Sequence, residues 1–490
     1  MRRREPYTVN RSTAVIAVLL AYGACLLCVG VWATRRTHNG NDFLLGSRRM
    51  SLWFTSLSFT ANATPPWLLF IVCGAAYVWG LAVVWAVAAL LIGYLLNWFF
   101  VAPRLRALAV GHGNVTVLQS LCTAAGDRLQ PLVVRSGVLI LFFAVLLQAA
   151  AQLHFAGATL AAELDVDLSM VVSCLVIFLG VLAIAGGCWA ASMSDVIAVG
   201  VLLTIGLMVP ALVVSAGWSQ IQSGVEAAGP HAMSWFAGKP GVVAAAFAIG
   251  LFGLGLAQVG QPQALNRFMS ARDDRTIKIA RWISCGVVIL LLGEMLFCGW
   301  SARIIYAGMP QPEFALLTLG NRILPSWLAG AISTILLCAV LSGIMNQFLV
   351  AAATFSVDLK RPGAPGSIDL ARSVTAIFAL LATCLVAYEP ASLLNQWLFA
   401  YNVMGASFGP LLLVRLTGKR VRPGSTLGAM WAGCILTVLF HLLPDSPGDI
   451  LERVFPFVAS LGIALTGGER RHNPDRADRA QDTVHDRVPI

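Results

Sequence analysis

The sequence contains few charged residues. Asp, Glu, Lys and Arg make up 11% of its 490 residues, while hydrophobic residues make up 58%, and the mean hydropathy is +0.79. A soluble domain carries about 25% charged residues. Because a protein of this size needs more charge than this to cover a water-exposed surface, the composition excludes a soluble fold and predicts a polytopic membrane protein.

Motifs of catalysis are also missing. The sequence has no metal-ligand cluster, no nucleophile elbow and no phosphate-binding loop. Gly253-Leu-Gly255 resembles a fragment of a nucleotide loop, but it lies in an apolar run without the strand–turn–helix context. Cys25 and Cys28 form a Cys-x-x-Cys pair in an apolar helix without a basic activator, which is typical of small apolar fillers. We therefore expect no enzyme activity and no cofactor.

The hydrophobic residues fall in long runs. A helix needs about 20 apolar residues to cross a bilayer, and on this measure the sequence predicts about thirteen spans. The first run is long and lacks a small-residue cleavage site, so it is expected to be a retained span. The spans are predicted near 13–34, 52–78, 81–102, 134–160, 168–187, 190–215, 241–263, 281–304, 327–356, 371–388, 393–414, 424–443 and 448–466.

The net charge of +10 comes from Lys and Arg in short loops. Basic residues concentrate on the cytoplasmic side of a membrane protein, so this charge indicates contact with the lipid bilayer and not with nucleic acid. Most of these residues share one side if the N-terminus is outside and the C-terminus is in the cytoplasm, as expected in a bacterial inner membrane. The contrary residues are Arg2, Arg3, Arg4 and Arg11.

The second predicted span contains the most unusual stretch, Ser58 to Trp67. Pro65 and Pro66 have no N–H, so in a helix the carbonyls of Ala61 and Asn62 lose their donors, and Thr64 is expected to be extended. Unpaired carbonyls are costly in hydrocarbon. Either a cation binds them, or the stretch is a proline kink repaired by Thr or Asn side chains and neighbouring helices.

The seventh predicted span contains a second interruption. It carries four glycines (Gly250, Gly253, Gly255 and Gly260) and Pro262. Glycine weakens a helix by up to about 1 kcal/mol relative to alanine, although glycines also serve close packing of membrane helices. The two interruptions lie five spans apart, an odd offset that gives opposite orientations. Paired interrupted spans of this kind are typical of the inverted repeats of a secondary transporter, with its site at the midplane.

Several motifs follow one another along most of the chain, from about residue 40 to 415. They are Asn41–Arg48, Gly74–Tyr77, Asn97–Arg106, Gly186-Gly187 with Asp195, Gly260–Met269, Arg281–Ser284, Asp358-Leu359 and Phe408–Pro410. On these motifs the chain resembles the sodium/solute symporter family, most of all its sodium/proline permeases. The resemblance implies an all-α fold of about thirteen helices around a leucine-transporter-type core of five-plus-five inverted repeats.

These observations divide the chain into six parts. The predicted parts are an N-terminal segment with the first span and a cytoplasmic loop (1–51), a first repeat (52–215), an external loop (216–240), a second repeat (241–415), two further spans (416–466) and a disordered cytoplasmic tail (467–490).

The resemblance also implies a sodium site between the broken second span and the ninth. Its ligands would be the backbone oxygens of Ala61, Thr64 and Ala339 and hydroxyls at Ser342 and residue 343. Residue 343 is Gly343, so one ligand is missing.

Other positions of the resemblance differ as well. An aspartate that is important for sodium in the family corresponds to Ala63, the following Ser-Gly pair corresponds to Pro65-Pro66, and pocket aromatics are replaced by Leu146 and Leu254. These losses leave fewer oxygen ligands and so weaken the binding of a hard cation.

Further polar residues are candidates for substrate binding or coupling. They are Asn62, Gln258 and Gln261 beside the two breaks and Asp195 in the sixth span, since an intramembrane carboxylate is a functional candidate by default. Glu294 is either a proton carrier or a neutral, hydrogen-bonded side chain; His154 is expected to be a packed histidine, and Asn346 and Gln347 to bridge helices.

The first hypothesis is therefore a secondary transporter that couples sodium, or alternatively protons, to the import of a small organic solute such as an amino acid. The second is a non-transporting sensor or scaffold that keeps the fold, because Ala63, Gly343, Leu146 and Leu254 depart from the family.

Overall fold

Backbone groups in a bilayer must be satisfied within the protein, so long apolar runs form helices. The computed structural model describes residues 11–122, 128–215, 233–305, 308–309, 311–359, 367–388, 393–444 and 446–470. The elements of the first half are α1 (Arg11–Thr34), α2 (Gly40–Leu45), α3 (Leu52–Ala63), α4 (Pro66–Trp79), α5 (Val84–Leu96), α6 (Ala102–His112), α7 (Val117–Leu121), α8 (Gln130–Leu164) and α9 (Leu168–Ser215).

The second half continues the helical pattern and adds two short strands. Its elements are α10 (Gly241–Ala257), α11 (Pro262–Ser270), α12 (Asp274–Ile305), α13 (Ala315–Ile323), α14 (Ser326–Ala353), α15 (Ile368–Tyr388), α16 (Leu393–Leu416), β1 (Lys419–Val421), α17 (Pro423–His441), α18 (Ile450–Arg453), α19 (Phe455–Thr466) and β2 (Gly468–Arg470).

Ten stretches of the described chain are long and apolar enough to cross a membrane. Two of these stretches are interrupted internally by a glycine with a positive φ: Gly80 (φ 57°) follows α4, and Gly187 (φ 50°) lies inside α9. Dividing the stretches there gives the separate second, third, fifth and sixth spans that the sequence predicts. The last predicted span, 448–466, consists of the short helices α18 and α19.

The strands correct one domain boundary. Residues 468–470 were expected to begin a disordered tail, but β2 pairs antiparallel with β1, with Arg420 opposite Glu469. Backbone pairing orders these residues although their composition is polar. Residues 471–490 of the predicted tail and residues 216–232 of the predicted external loop lie outside the described part of the chain.

Helix α14 lies at the centre of the bundle. It is buried along most of its length and packs against α1, α8, α9 and α15. An apolar, small-residue helix can occupy this position because it has neighbours on every side.

The glycines of α10 do not break the helix, which runs uninterrupted to Ala257. Instead they allow close packing. A Cβ built on Gly255 would lie 2.0 Å from the Ala89 carbonyl oxygen of α5, and one built on Gly93 would lie 2.2 Å from the Gly255 carbonyl oxygen. Only a residue without a side chain permits this approach of α5 and α10.

Candidate functional site

The first break has the predicted place, and Thr64 leaves the helix there without becoming fully extended. Helix α3 ends at Ala63, Thr64 is not helical (φ −126°, ψ 69°), and α4 begins after Pro65 (φ −59°, ψ 152°). The Thr64 N–H and hydroxyl both donate to the Thr60 carbonyl, at 2.9 and 2.8 Å. These bonds complete the last turn of α3, but they do not use the carbonyl of Ala61, whose usual donor the proline at position 65 lacks.

The second break faces the first. Helix α10 ends at Ala257, a 3₁₀ turn follows, and α11 begins at Pro262. The side chain of Gln258, in the turn, donates to the Ala63 carbonyl at 2.8 Å. Gln261 donates to the carbonyls of Ala257 and Tyr401 at 3.0 and 2.9 Å, and this ties the second break to α16. The structure therefore brings together both interrupted segments and both glutamines that the sequence singled out.

The ligand positions on the ninth predicted span belong to a helix that packs against both sides of the first break. Ala339, Ser342 and Gly343 are buried in α14, which contacts both α3 and α4. The Ser342 hydroxyl donates to the Ala339 carbonyl at 3.0 Å. Carbonyl and hydroxyl oxygens are hard ligands that suit a hard cation such as sodium. Gly343 adds no side-chain oxygen, as the sequence indicates.

Asp195 lies inside the bundle, where it joins three helices. Its Oδ2 accepts from the Ser58 hydroxyl at 2.5 Å and from Asn62 Nδ2 at 2.9 Å, both on α3. Its Oδ1 accepts from Asn346 Nδ2 on α14 at 2.7 Å. The side chain is 1% exposed, so the carboxylate is enclosed by the protein. Asn62 and Asn346 are thus bridging residues beside the first break.

The partner of this carboxylate is Arg267 of α11, which the sequence argument did not select. Arg267 Nη2 lies 3.3 Å from Asp195 Oδ2, and Nη1 donates to the Ser192 hydroxyl at 2.8 Å. Arg267 also donates to the Asn346 amide oxygen. Its only signal in the sequence is its place in the Gly260–Met269 motif. The guanidinium compensates the carboxylate, because a buried charge without a partner is strongly unfavourable.

A cavity of about 250 Å³ lies on the α4 side of the break. Leu254, predicted to replace a pocket aromatic, is in its wall, together with apolar residues of α4 and α5. The ion pair of Asp449 and Arg453, 2.5 Å apart, also lines it. Leu146 lies half-buried on α8 and is not among the described residues of this wall. Pro66 contributes the first residue of α4.

Two further candidates lie on α12 and α8. Glu294 is buried on α12, and neither carboxyl oxygen has a hydrogen-bond partner among the described residues. His154 is half-buried on α8. The described part of the chain holds no cluster of three or more potential metal ligands from His, Cys, Asp and Glu.

Comparison with solved structures identifies the fold. A sodium-coupled sialic acid symporter, captured in a substrate-bound outward-open state, superposes with a TM-score of 0.75 at 16% identity, covering 94% of this chain and 99% of that one. The nucleobase-cation-symport-1 family transporter Mhp1 superposes with a TM-score of 0.52 at 15% identity, over 88% and 96% of the two chains. The chain thus has the leucine-transporter-type fold that the resemblance implies.

Sequence comparison identifies the family. A high-affinity proline transporter of Bacillus subtilis is 28% identical and covers 89% of this chain and 94% of its own length. Sodium/proline symporters of Haemophilus influenzae and Escherichia coli are 27% and 25% identical, with 90% and 88% of this chain and 91% and 88% of their own lengths covered. The family model described as the sodium:solute symporter family matches residues 43–435. The chain therefore belongs to the sodium:solute symporter family, and its activity is the sodium-coupled symport of a solute.

Proposed function

We propose that the solute is a small amino acid and that solute and sodium bind on either side of the break between α3 and α4. The observation that carries this proposal is the junction itself. Two interrupted helices from the two halves of the chain meet through Gln258 and the Ala63 carbonyl, with α14 beside them. Irregular backbone at membrane depth is tolerated where it lines a binding site, and the leucine-transporter-type fold uses such a site.

Sodium would bind between the first break and α14. The carbonyls of Ala61, Thr64 and Ala339 and the hydroxyl of Ser342 supply four oxygens. A cation there would satisfy the Ala61 carbonyl, which the prolines deprive of its donor. Bound sodium would hold the break against α14 and so keep the solute cavity in shape. Sodium and solute would then each raise the affinity for the other, which is the condition for coupling.

The cavity beside α4 supports the choice of solute. Its wall is mainly apolar, with one pair of opposite charges, Asp449 and Arg453. Such a lining matches a zwitterion with a small apolar body. The relatives named above are proline transporters, and we extend to this chain a substrate of that class. The N-terminus would lie outside and the C-terminus in the cytoplasm of a bacterial inner membrane, as the distribution of Lys and Arg favours.

The test is uptake into liposomes that contain the purified chain. With an inward sodium gradient and no pH gradient, we expect accumulation of radiolabelled proline or another small amino acid from a panel, and no accumulation when choline replaces sodium. Ser342→Ala should raise the half-saturating sodium concentration. Accumulation without sodium would contradict the proposal, and tight binding of a solute without any flux would support a sensor.

Glu294 allows the alternative of proton coupling, which the sequence left open, to be tested. Its carboxyl oxygens lack described hydrogen-bond partners, and its Oε2 lies against Gly206 of α9, where a Cβ would be 1.9 Å away. An ionised carboxylate without a partner is costly in this setting, so burial favours the protonated form. If protons drive transport, accumulation follows a pH gradient and Glu294→Gln abolishes it. If sodium drives transport, Glu294→Gln retains sodium-driven uptake.

A further inference from the structure

Gly343 faces a specific side chain of the neighbouring helix. A Cβ built on Gly343 would lie 2.8 Å from the amide oxygen Oε1 of Gln152, on α8. Real Cβ atoms do not come this close to another heavy atom. Any residue with a side chain at position 343 would therefore require the Gln152 amide to move. The amide oxygen thus occupies the space that a side chain at residue 343 would fill.

The Gln152 oxygen is also unpartnered. Gln152 is 1% exposed, and its Oε1 has no hydrogen-bond partner among the residues that the structure describes. Buried polar atoms normally have a partner, and leaving one unpaired is unfavourable. An amide oxygen is a hard donor of the kind found around calcium and other hard cations. Here such an oxygen points to the one ligand position that has no side chain.

We propose that Gln152 Oε1 is a sodium ligand that replaces the hydroxyl missing at Gly343. This inference rests on the proposed sodium site at the first break and extends it to α8. Gly343 and Gln152 then form a matched pair, in which the glycine makes room and the glutamine returns the oxygen. The fifth ligand of the site comes from a third helix, so sodium would join α3, α8 and α14.

A neighbouring pair of glutamines provides an internal control. Gln148 lies one turn before Gln152 on α8, and its Oε1 accepts from Gln347 Nε2 at 3.3 Å. Gln347 lies one turn beyond Gly343 on α14. This contact joins the same two helices without facing the glycine. A substitution at Gln148 therefore removes an amide between α8 and α14 without removing the proposed ion ligand.

The experiment measures sodium binding without transport. The purified chain in nanodiscs is titrated with NaCl against choline chloride at constant ionic strength, and the rise in melting temperature gives the half-saturating sodium concentration. Gln152→Met keeps the volume and removes the oxygen, and it should raise this concentration by roughly tenfold, equivalent to about 1.4 kcal/mol. Gln148→Met should leave it within twofold of the unmodified chain.

Exchanging the pair gives the sharper result. In the Gln152→Ala background the space at residue 343 is open, so adding Gly343→Ser should restore sodium affinity to near the original value. Adding Gly343→Ala fills the space without an oxygen and should not restore it. Gln152→Glu keeps an oxygen and should retain sodium binding. If Gln152→Met does not fold, the comparison of Gly343→Ser with Gly343→Ala in the Gln152→Ala background decides the case.

The outcomes separate this inference from the proposed function. If the unmodified chain responds to sodium and Gln152→Met responds equally, or if Gly343→Ala restores binding as well as Gly343→Ser, Gln152 is not a ligand. If the unmodified chain shows no sodium response in nanodiscs and no sodium-driven uptake, the proposed site is wrong and the inference is wrong with it.

Discussion

Replacing Arg267 by methionine should leave Asp195 as a carboxylate without a counter-charge inside the bundle. The two side chains are 3% and 1% exposed, and they lie 3.3 Å apart. Removing one partner of a buried ion pair costs about 3–5 kcal/mol, because the remaining charge is desolvated and uncompensated. Three uncharged groups still donate to the carboxylate, and the lost Arg267–Ser192 bond adds to the cost. We therefore expect a loss of about 3 kcal/mol in the free energy of unfolding.

The assay is reversible unfolding of the purified chain in mixed detergent micelles, with Arg422→Met as the control. Arg422 pairs with Glu469 at 2.5 Å, but the two side chains are 67% and 56% exposed, so losing this pair should cost less than about 1 kcal/mol. Adding Asp195→Asn to Arg267→Met removes the stranded charge and should recover part of the loss. The reasoning is refuted if Arg267→Met costs no more than Arg422→Met, or if the losses of the two single variants simply add in the double variant.

Two further predictions concern stability. Gly255→Ala places a Cβ 2.0 Å from the Ala89 carbonyl oxygen and should destabilise the fold by about 1–3 kcal/mol through overpacking. The control is Gly286→Ala, where nothing lies within 4 Å of the added Cβ, and it should stabilise the fold by up to about 1 kcal/mol. Equal effects of the two variants in thermal unfolding would contradict this explanation. Hydrogen bonds from the Thr276 N–H and hydroxyl lower the pKa of Asp273 to about 2. The charged form is thus favoured in the folded state, so Asp273→Ala should destabilise above about pH 4. The difference should shrink as the pH falls and disappear below pH 2. A difference of unchanged size below pH 2 would refute this origin.

The broken helices were predictable because proline and hydrophobicity act locally. Pro65 and Pro262 have no N–H wherever they are placed, so the sequence predicts where each helix stops. The role of the glycines was less certain. Gly255 weakens an isolated helix, but it serves packing when another helix lies against it, and sequence spacing alone does not distinguish these cases.

The partners in the site were not predictable in the same way. Asp195 was a candidate as an intramembrane carboxylate, but its ion pair with Arg267 joins residues 72 positions apart. The position of Gln152 opposite Gly343 likewise depends on how α8 lies against α14. A residue's polarity can be read from the sequence, whereas its contacts depend on the rotation and crossing of two helices.

The sequence by itself determined that this chain crosses the membrane many times, that two of its spans are interrupted, and that it resembles sodium-coupled symporters. These conclusions follow from apolar length, proline chemistry and local motifs. Only the tertiary structure decided that Gln258 closes the gap between the two breaks, that Arg267 neutralises Asp195, and that an unpartnered amide oxygen faces Gly343. Each of these contacts joins distant segments, and it arises because the packed helices bring specific faces together.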